Sequence, residues 1–166
     1  GLNADLIYFL SPNALALALV RTPYVMAVWD VCHLDHPEFP EVRADGEFER
    51  RETFFRCALP QALLVVTDSD ALSQRIHHRY GVDRDRLVVQ PFRPSPFLEA
   101  ASEPPEAVLA EYRLEKGYWF YPAQFWAHKN HVRVLEALAL LRERGLEQRA
   151  VFVGSDKGFR SVVEGH

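Results

Sequence analysis

The feature that most constrains this chain is an alternation. Short apolar runs recur at 5–10, 24–29, 62–67, 87–90, 118–121 and 150–153, and helical spacing fills most of the segments between them. Parallel neighbours need a crossover long enough to hold a helix, so this alternation predicts a mixed α/β fold with parallel sheets. The clearest unit is the last full one. Tyr118, Trp119, Phe120 and Tyr121 read as a buried strand that stops at Pro122, which cannot donate to a sheet ladder. An aromatic loop follows, carrying His128, Lys129 and Asn130. Then Val132, Leu135, Leu138, Ala139 and Leu141 fall at helical spacing as far as Gly145. Lys129 therefore stands between the C-terminal end of a strand and the N-terminus of a helix. Open α/β sheets bind ligands there, and the helix terminus favours anions.

Upstream, 14–20 reads as a short helix after the turn Ser11, Pro12, Asn13, and 48–59 as a longer one. The segment between the second strand and that longer helix carries Asp30, His33, Asp35, His36 and Glu38 with two prolines, and reads as a polar loop. Asp68 and Ser69 offer an N-cap for a helix running to Tyr80, which Gly81 ends. The Pro-rich stretch 91–105 is a shift in composition and marks a linker. The expected organisation is a first domain over 1–96, a linker over 97–117 containing a short acidic helix at 106–111, and the start of a second domain over 118–166. With about two strands, that second part is short of a complete core. The chain opens within a few residues of a strand and closes inside a βα unit, as a piece of a longer protein would.

Composition excludes several classes. Apolar residues make up 48% and charged residues 25%, as in ordinary globular proteins. The net charge of −4 gives no footprint for nucleic acid. Cys32 and Cys57 provide neither a disulfide framework nor metal-ligand spacing, which points to a reducing, cytoplasmic setting. No apolar run reaches the roughly 20 residues of a membrane helix.

Each candidate site has a plain alternative. Lys129 is an anion ligand or a solvated loop lysine. Gly154, Ser155, Asp156, Lys157 and Gly158 form a ligand-approaching turn or an ordinary βα turn. The glycine fingerprints of dinucleotide and P-loop sites are absent. The group Asp30, His33, Asp35, His36 and Glu38 is a metal site, a substrate-contacting loop after a strand end, or a packed loop; lack of a helical face to align ligands weighs against the metal. His77 and His78 point to different faces of a helix and read as solvated.

Four segments, in order and across nearly the whole chain, carry a resemblance. TPYVMAVWDVCHLDHPEFPEV, LVVTDSDALSQRIHHRYGVDRDRLVVQPFRPSP, FYPAQFWAHKNHVRVLEALALL and VFVGSDKG resemble the family 4 ("group 1") glycosyltransferases. The resemblance implies a GT-B fold, in which two Rossmann-like parallel-sheet domains face across a cleft. Residues 1–96 would be the second half of the acceptor-side domain, and 118–166 the start of the nucleotide-sugar domain. The implied activity is transfer of a sugar (mannose or another hexose) from a nucleotide-diphosphate donor to a saccharide or lipid-linked acceptor. Configuration is retained, and no metal or cofactor is needed. Lys129 matches the lysine that holds the donor diphosphate. Gln124 stands where the family usually has a second cation. Asn130, Gly154 and Ser155 complete the expected donor-binding set.

On the acceptor side, the family's His-Asp pair reads Trp29-Asp30 here. Asp30 and His33 are therefore the candidate catalytic residues, with His33 as the expected sugar contact. The family's paired glutamates fall beyond 166, so this chain by itself is expected to show little transferase activity. The resemblance places such an enzyme in the cytoplasm, with the inner face of the membrane as an alternative. Membrane association is not written in these residues, and no nucleic-acid partner is implied. The competing readings are a non-catalytic binding or assembly module on the same scaffold and a nucleotide-sugar epimerase. Trp29 and Gln124 mildly favour the former.

Overall fold

The computed structural model describes residues 4–96 and 105–166. They fall into two compact units, Gly1–Pro94 and Ser95–His166. Residues 97–104 of the expected linker lie outside the described residues.

The first unit holds β1 (Ile7–Phe9), β2 (Tyr24–Val28), β3 (Leu64–Thr67) and β4 (Leu87–Val89), all parallel and in sequential order. The pleat sorts their side chains. Phe9, Met26 and Val65 share a row and are buried, whereas Tyr8 and Val88 on the opposite face are 53% and 40% exposed. The buried row packs against Phe55, Ala58, Leu72 and Ile76. Fully burying a side chain such as Phe55 or Ile76 contributes roughly 1.5–3 kcal/mol.

The segment expected to be a polar loop instead forms two one-turn helices, α1 (Cys32–Asp35) and α2 (Pro40–Arg43). The prolines do not oppose this. Pro37 falls between the two turns, and Pro40 begins α2, where a missing N–H breaks no helical bond. The next helix, α3 (Glu47–Ala58), starts after Asp45 and Gly46, both at positive φ. The helix α4 (Asp70–Tyr80) has the expected ends: the Ser69 hydroxyl accepts from the Leu72 N–H, and Gly81 at φ 67° closes it. His77, expected to be solvated, is half-buried, with its Nδ1 2.8 Å from the Val82 carbonyl.

The second unit contains α5 (Pro105–Glu111), β5 (Trp119–Pro122), α6 (His131–Glu143), β6 (Ala150–Val153) and α7 (Arg160–Glu164). The strands β5 and β6 pair in parallel from Trp119↔Ala150 to Pro122↔Val153. The apolar run of β5 is not buried as expected: Trp119 is 44% and Phe120 56% exposed. A sheet of only two strands leaves much of its surface without a covering layer. No helix among the described residues is long and apolar enough to cross a membrane.

Candidate functional site

Two loops at the C-terminal ends of parallel strands carry the candidate residues, one in each unit. The loop after β5 is built on close backbone contact with the turn after β6. The Phe125 N–H donates to the Ser155 carbonyl at 3.0 Å, and Phe125 pairs with Asp156 in an isolated bridge. Gly154 permits this. A Cβ added there would sit 2.1 Å from the Ala123 carbonyl oxygen and 2.8 Å from the Gln124 Cα. Its lack of a side chain is therefore explained by the neighbouring loop, before any ligand is considered.

Lys129 ends a short 3-10 turn, Ala127–Lys129. Its carbonyl accepts from the Tyr121 hydroxyl at 2.5 Å, which ties the turn back to β5. Its side chain is exposed, and no carboxylate pairs with it among the described residues. Asn130 adopts the left-handed conformation (φ 56°, ψ 41°) that links this turn to α6, a conformation asparagine tolerates better than most residues. Its side chain does not cap the helix, and among the described residues no side chain takes up the first N–H groups of α6. The Gln124 side-chain oxygen accepts from the Trp126 indole N–H at 2.9 Å, a bond internal to the loop.

Two features of this loop were not read from the sequence. Lys157 reaches over the Trp126 ring, with its Nζ 5.7 Å from the centroid, and so brings a second exposed cation to the loop pair. Its place in the turn after β6 was the available signal. The other feature is His131, the first residue of α6. It is fully buried, stacked on Phe125 (4.6 Å, 15°) and edge-on to Tyr121 and Phe152. Neither ring nitrogen has a hydrogen-bond partner among the described residues. Nothing local in the sequence marks that cage, because Phe152 belongs to another strand.

In the first unit, the five grouped residues turn to different partners. Asp30 accepts through Oδ1 from Arg51 (2.5 Å) and from the Cys32 N–H (3.0 Å). Asp35 pairs with Arg75, and His36 with Glu38. His33 is fully buried, and its Nε2 lies 3.3 Å from Glu52 and 3.4 Å from the Tyr80 hydroxyl. Tyr80 in turn donates to Glu52 at 3.0 Å. Among the described residues, no three such side chains are placed to hold a metal ion.

The electrostatics follow this burial. Burial pushes the Asp30 carboxyl up, but the hydrogen bonds from Cys32 and Arg51 outweigh it and leave its pKa below the usual range. Burial, reinforced by the Arg51 charge, lowers the His33 pKa against the opposing pull of Glu52. Burial and the Glu52 carboxylate raise that of Tyr80. Of the two candidate catalytic residues, Asp30 is half-exposed at the loop surface, whereas the His33 ring presents none of its surface to solvent.

Trp29 borders three hollows of about 760, 240 and 230 Å³ around the strand ends. In the second unit, a hollow of about 890 Å³ is lined by Gly117, Tyr118 and Arg149 at the opposite ends of the strands from Lys129. Its position does not suit ligand chemistry. Ligands of open α/β sheets sit at the carboxyl ends, and Arg149 there is already paired with Glu115. No protein-family model and no curated protein sequence matches the chain.

Proposed function

We propose that the chain is part of a retaining glycosyltransferase of the GT-B kind, and that the loop pair after β5 and β6 holds the donor's diphosphate. One observation carries this reading. Gly154 lets the two loops close on each other, which brings two exposed lysines, Lys129 and Lys157, to loops beside the uncapped start of α6. Uncapped helix N–H groups and nearby ammonium groups suit an anion that gains charge as it leaves. In the transfer, the bond between the anomeric carbon and the diphosphate oxygen breaks while the acceptor oxygen bonds to that carbon. The acceptor's proton departs with the diphosphate. Lys157 takes the place of the cation missing at Gln124, whose side chain is engaged with Trp126.

Calorimetric titration of GDP and UDP into the protein tests this. Lys129→Ala and Lys157→Ala should each weaken binding by about tenfold, the worth of a charge-assisted contact. Binding unchanged in both variants would overturn the reading. Two observations favour a second reading, a non-catalytic binding module on the same scaffold: the burial of His33 away from any sugar, and the engagement of Gln124. Under it, nucleotide binds with the same lysine dependence, but no sugar is released from a labelled donor even when the chain is part of its full-length protein.

A further inference from the structure

We propose that the hollow of about 760 Å³ in the first unit seats a neutral saccharide acceptor rather than one carried on a lipid diphosphate. The proposal rests on the transferase reading and assigns the acceptor class that reading leaves open. The hollow lies between the 3-10 turn Ala14–Ala18 and α3, with Trp29 and Asp30 among its lining residues, and it has the size of a small-molecule pocket.

Its walls and its charges point to the same ligand. Leu17, Trp29 and Phe54 supply apolar surface, and Trp29 stacks flat on Phe92 (5.0 Å, 4°), which fixes the indole plane while 44% of the residue stays exposed. A pyranose offers a C–H face to such a ring and hydroxyl donors around its edge. Asp30 can meet those donors. Its Oδ1 is taken by Arg51 and the Cys32 N–H, and beyond these the Asp30 carboxylate is met only by the Cys32 thiol among the described residues. The cations at the hollow are already committed. Arg51 is paired with Asp30, and Arg50 with Glu47. Glu49 adds a carboxylate with no cationic partner among the described residues. The lining thus carries an excess of one negative charge and no free cation. A diphosphate placed there would face carboxylates without an ammonium or guanidinium to neutralise it, whereas a neutral polyol gains acceptors. The lysine-bearing loops of the second unit show the opposite balance.

The test titrates linear mannotriose, maltotriose and citronellyl diphosphate into the whole chain by calorimetry, with Asp30→Asn and Leu17→Arg as variants. Leu17 is 47% exposed and Asp30 is at the surface, so both variants should keep the native circular dichroism spectrum. At least one trisaccharide should bind, and each variant should weaken it by about tenfold, as loss of a hydrogen bond to a charged group or of an apolar wall does. Any binding of the prenyl diphosphate to the parent chain should be lost in Lys129→Ala and unaltered by Asp30→Asn and Leu17→Arg, because it belongs to the lysine-bearing loops. Two results overturn the proposal: no trisaccharide binding, or binding that neither variant alters. Citronellyl diphosphate binding that the variants change would give the hollow to a lipid diphosphate instead. GDP titrated into the same samples separates the two levels. Lys129-dependent GDP binding without saccharide binding rejects the hollow and leaves the transferase reading. Saccharide binding without GDP binding does the reverse.

Discussion

The loops after β2 and β5 occupy equivalent places, each at the carboxyl end of a parallel strand, yet they are held in opposite ways. After β2, side chains do the holding. Arg51 grips Asp30, and Glu52 joins the buried His33 to Tyr80. After β5, the backbone and stacked rings do it, through the Gly154 approach, the Tyr121 bond to a carbonyl and the Phe125–His131 stack. The polar side chains of Lys129 and Asn130 are left over. A loop fixed by its side chains has little polar equipment to offer a ligand beyond a half-exposed carboxylate. A loop fixed by its backbone keeps its side chains available.

The strongest way to break this contrast is at Gly154. Gly154→Val should destabilise the second unit by about 3 kcal/mol, because the new side chain meets the backbone of Ala123, which cannot rotate away. Hydrogen exchange at the Phe125 amide reads the effect directly, since that N–H bonds across the two loops. Unchanged protection would mean that the close approach is not what holds them.

At His131 the test splits in two. His131→Ala should cost about 3 kcal/mol by leaving a cavity among Phe125, Tyr121 and Phe152. His131→Phe should be neutral or gain about 1 kcal/mol, because it fills the cage without two unsatisfied nitrogens. A large loss on His131→Phe in urea unfolding would show that the imidazole, and not its shape, matters.

The side-chain network gives a smaller effect with a pH signature. Tyr80→Phe removes the donor to Glu52 and should cost about 1–2 kcal/mol. The pKa of His33 is lowered in the fold, first by burial and then by Arg51. As pH falls through about 6.5, the unfolded chain takes up that proton before the folded one does. The His33 contribution is therefore complete above that pH and is lost on the acid side, down to the folded pKa. Despite their burial, Asp30 and Glu52 are also lowered by their hydrogen bonds, so their contributions hold above about 4–4.5 and fade below it. Melting temperature should thus decline in two stages on acidification. A rise between pH 7.5 and 5.5 would mean that Glu52 holds His33 charged.

What the sequence made legible was local. Ser69 and Gly81 announce both ends of α4 because caps act within one turn, and the six strands follow from runs of adjacent apolar residues. What it hid depends on distant partners. The one-turn helix α1 packs against α3, and neither that turn nor its packing is implied by the composition of the segment around His33. The burial of that histidine needs Glu52 and Tyr80, 19 and 47 residues away. The cage around His131 needs Phe152. The exposure of Trp119 and Phe120 was missed for a related reason: an apolar run announces a strand, but not whether a second layer covers it. At the candidate site, the position of Lys129 was legible from its neighbours. The contribution of Lys157 required knowing that the two turns touch.

The smallest effect on stability is also the sharpest test of the contrast. Lys129→Ala should change unfolding free energy by less than about 0.5 kcal/mol, since the ammonium is exposed and its backbone, not its side chain, anchors the loop. Arg51→Ala should cost more, because Arg51 also holds the Asp30 carbonyl and lies over the Phe55 ring. Paired urea denaturation curves, monitored by signals from each unit, decide it. If Lys129→Ala costs as much as Arg51→Ala, then the second loop is braced by its side chains after all, and the lysine is not free to meet a diphosphate.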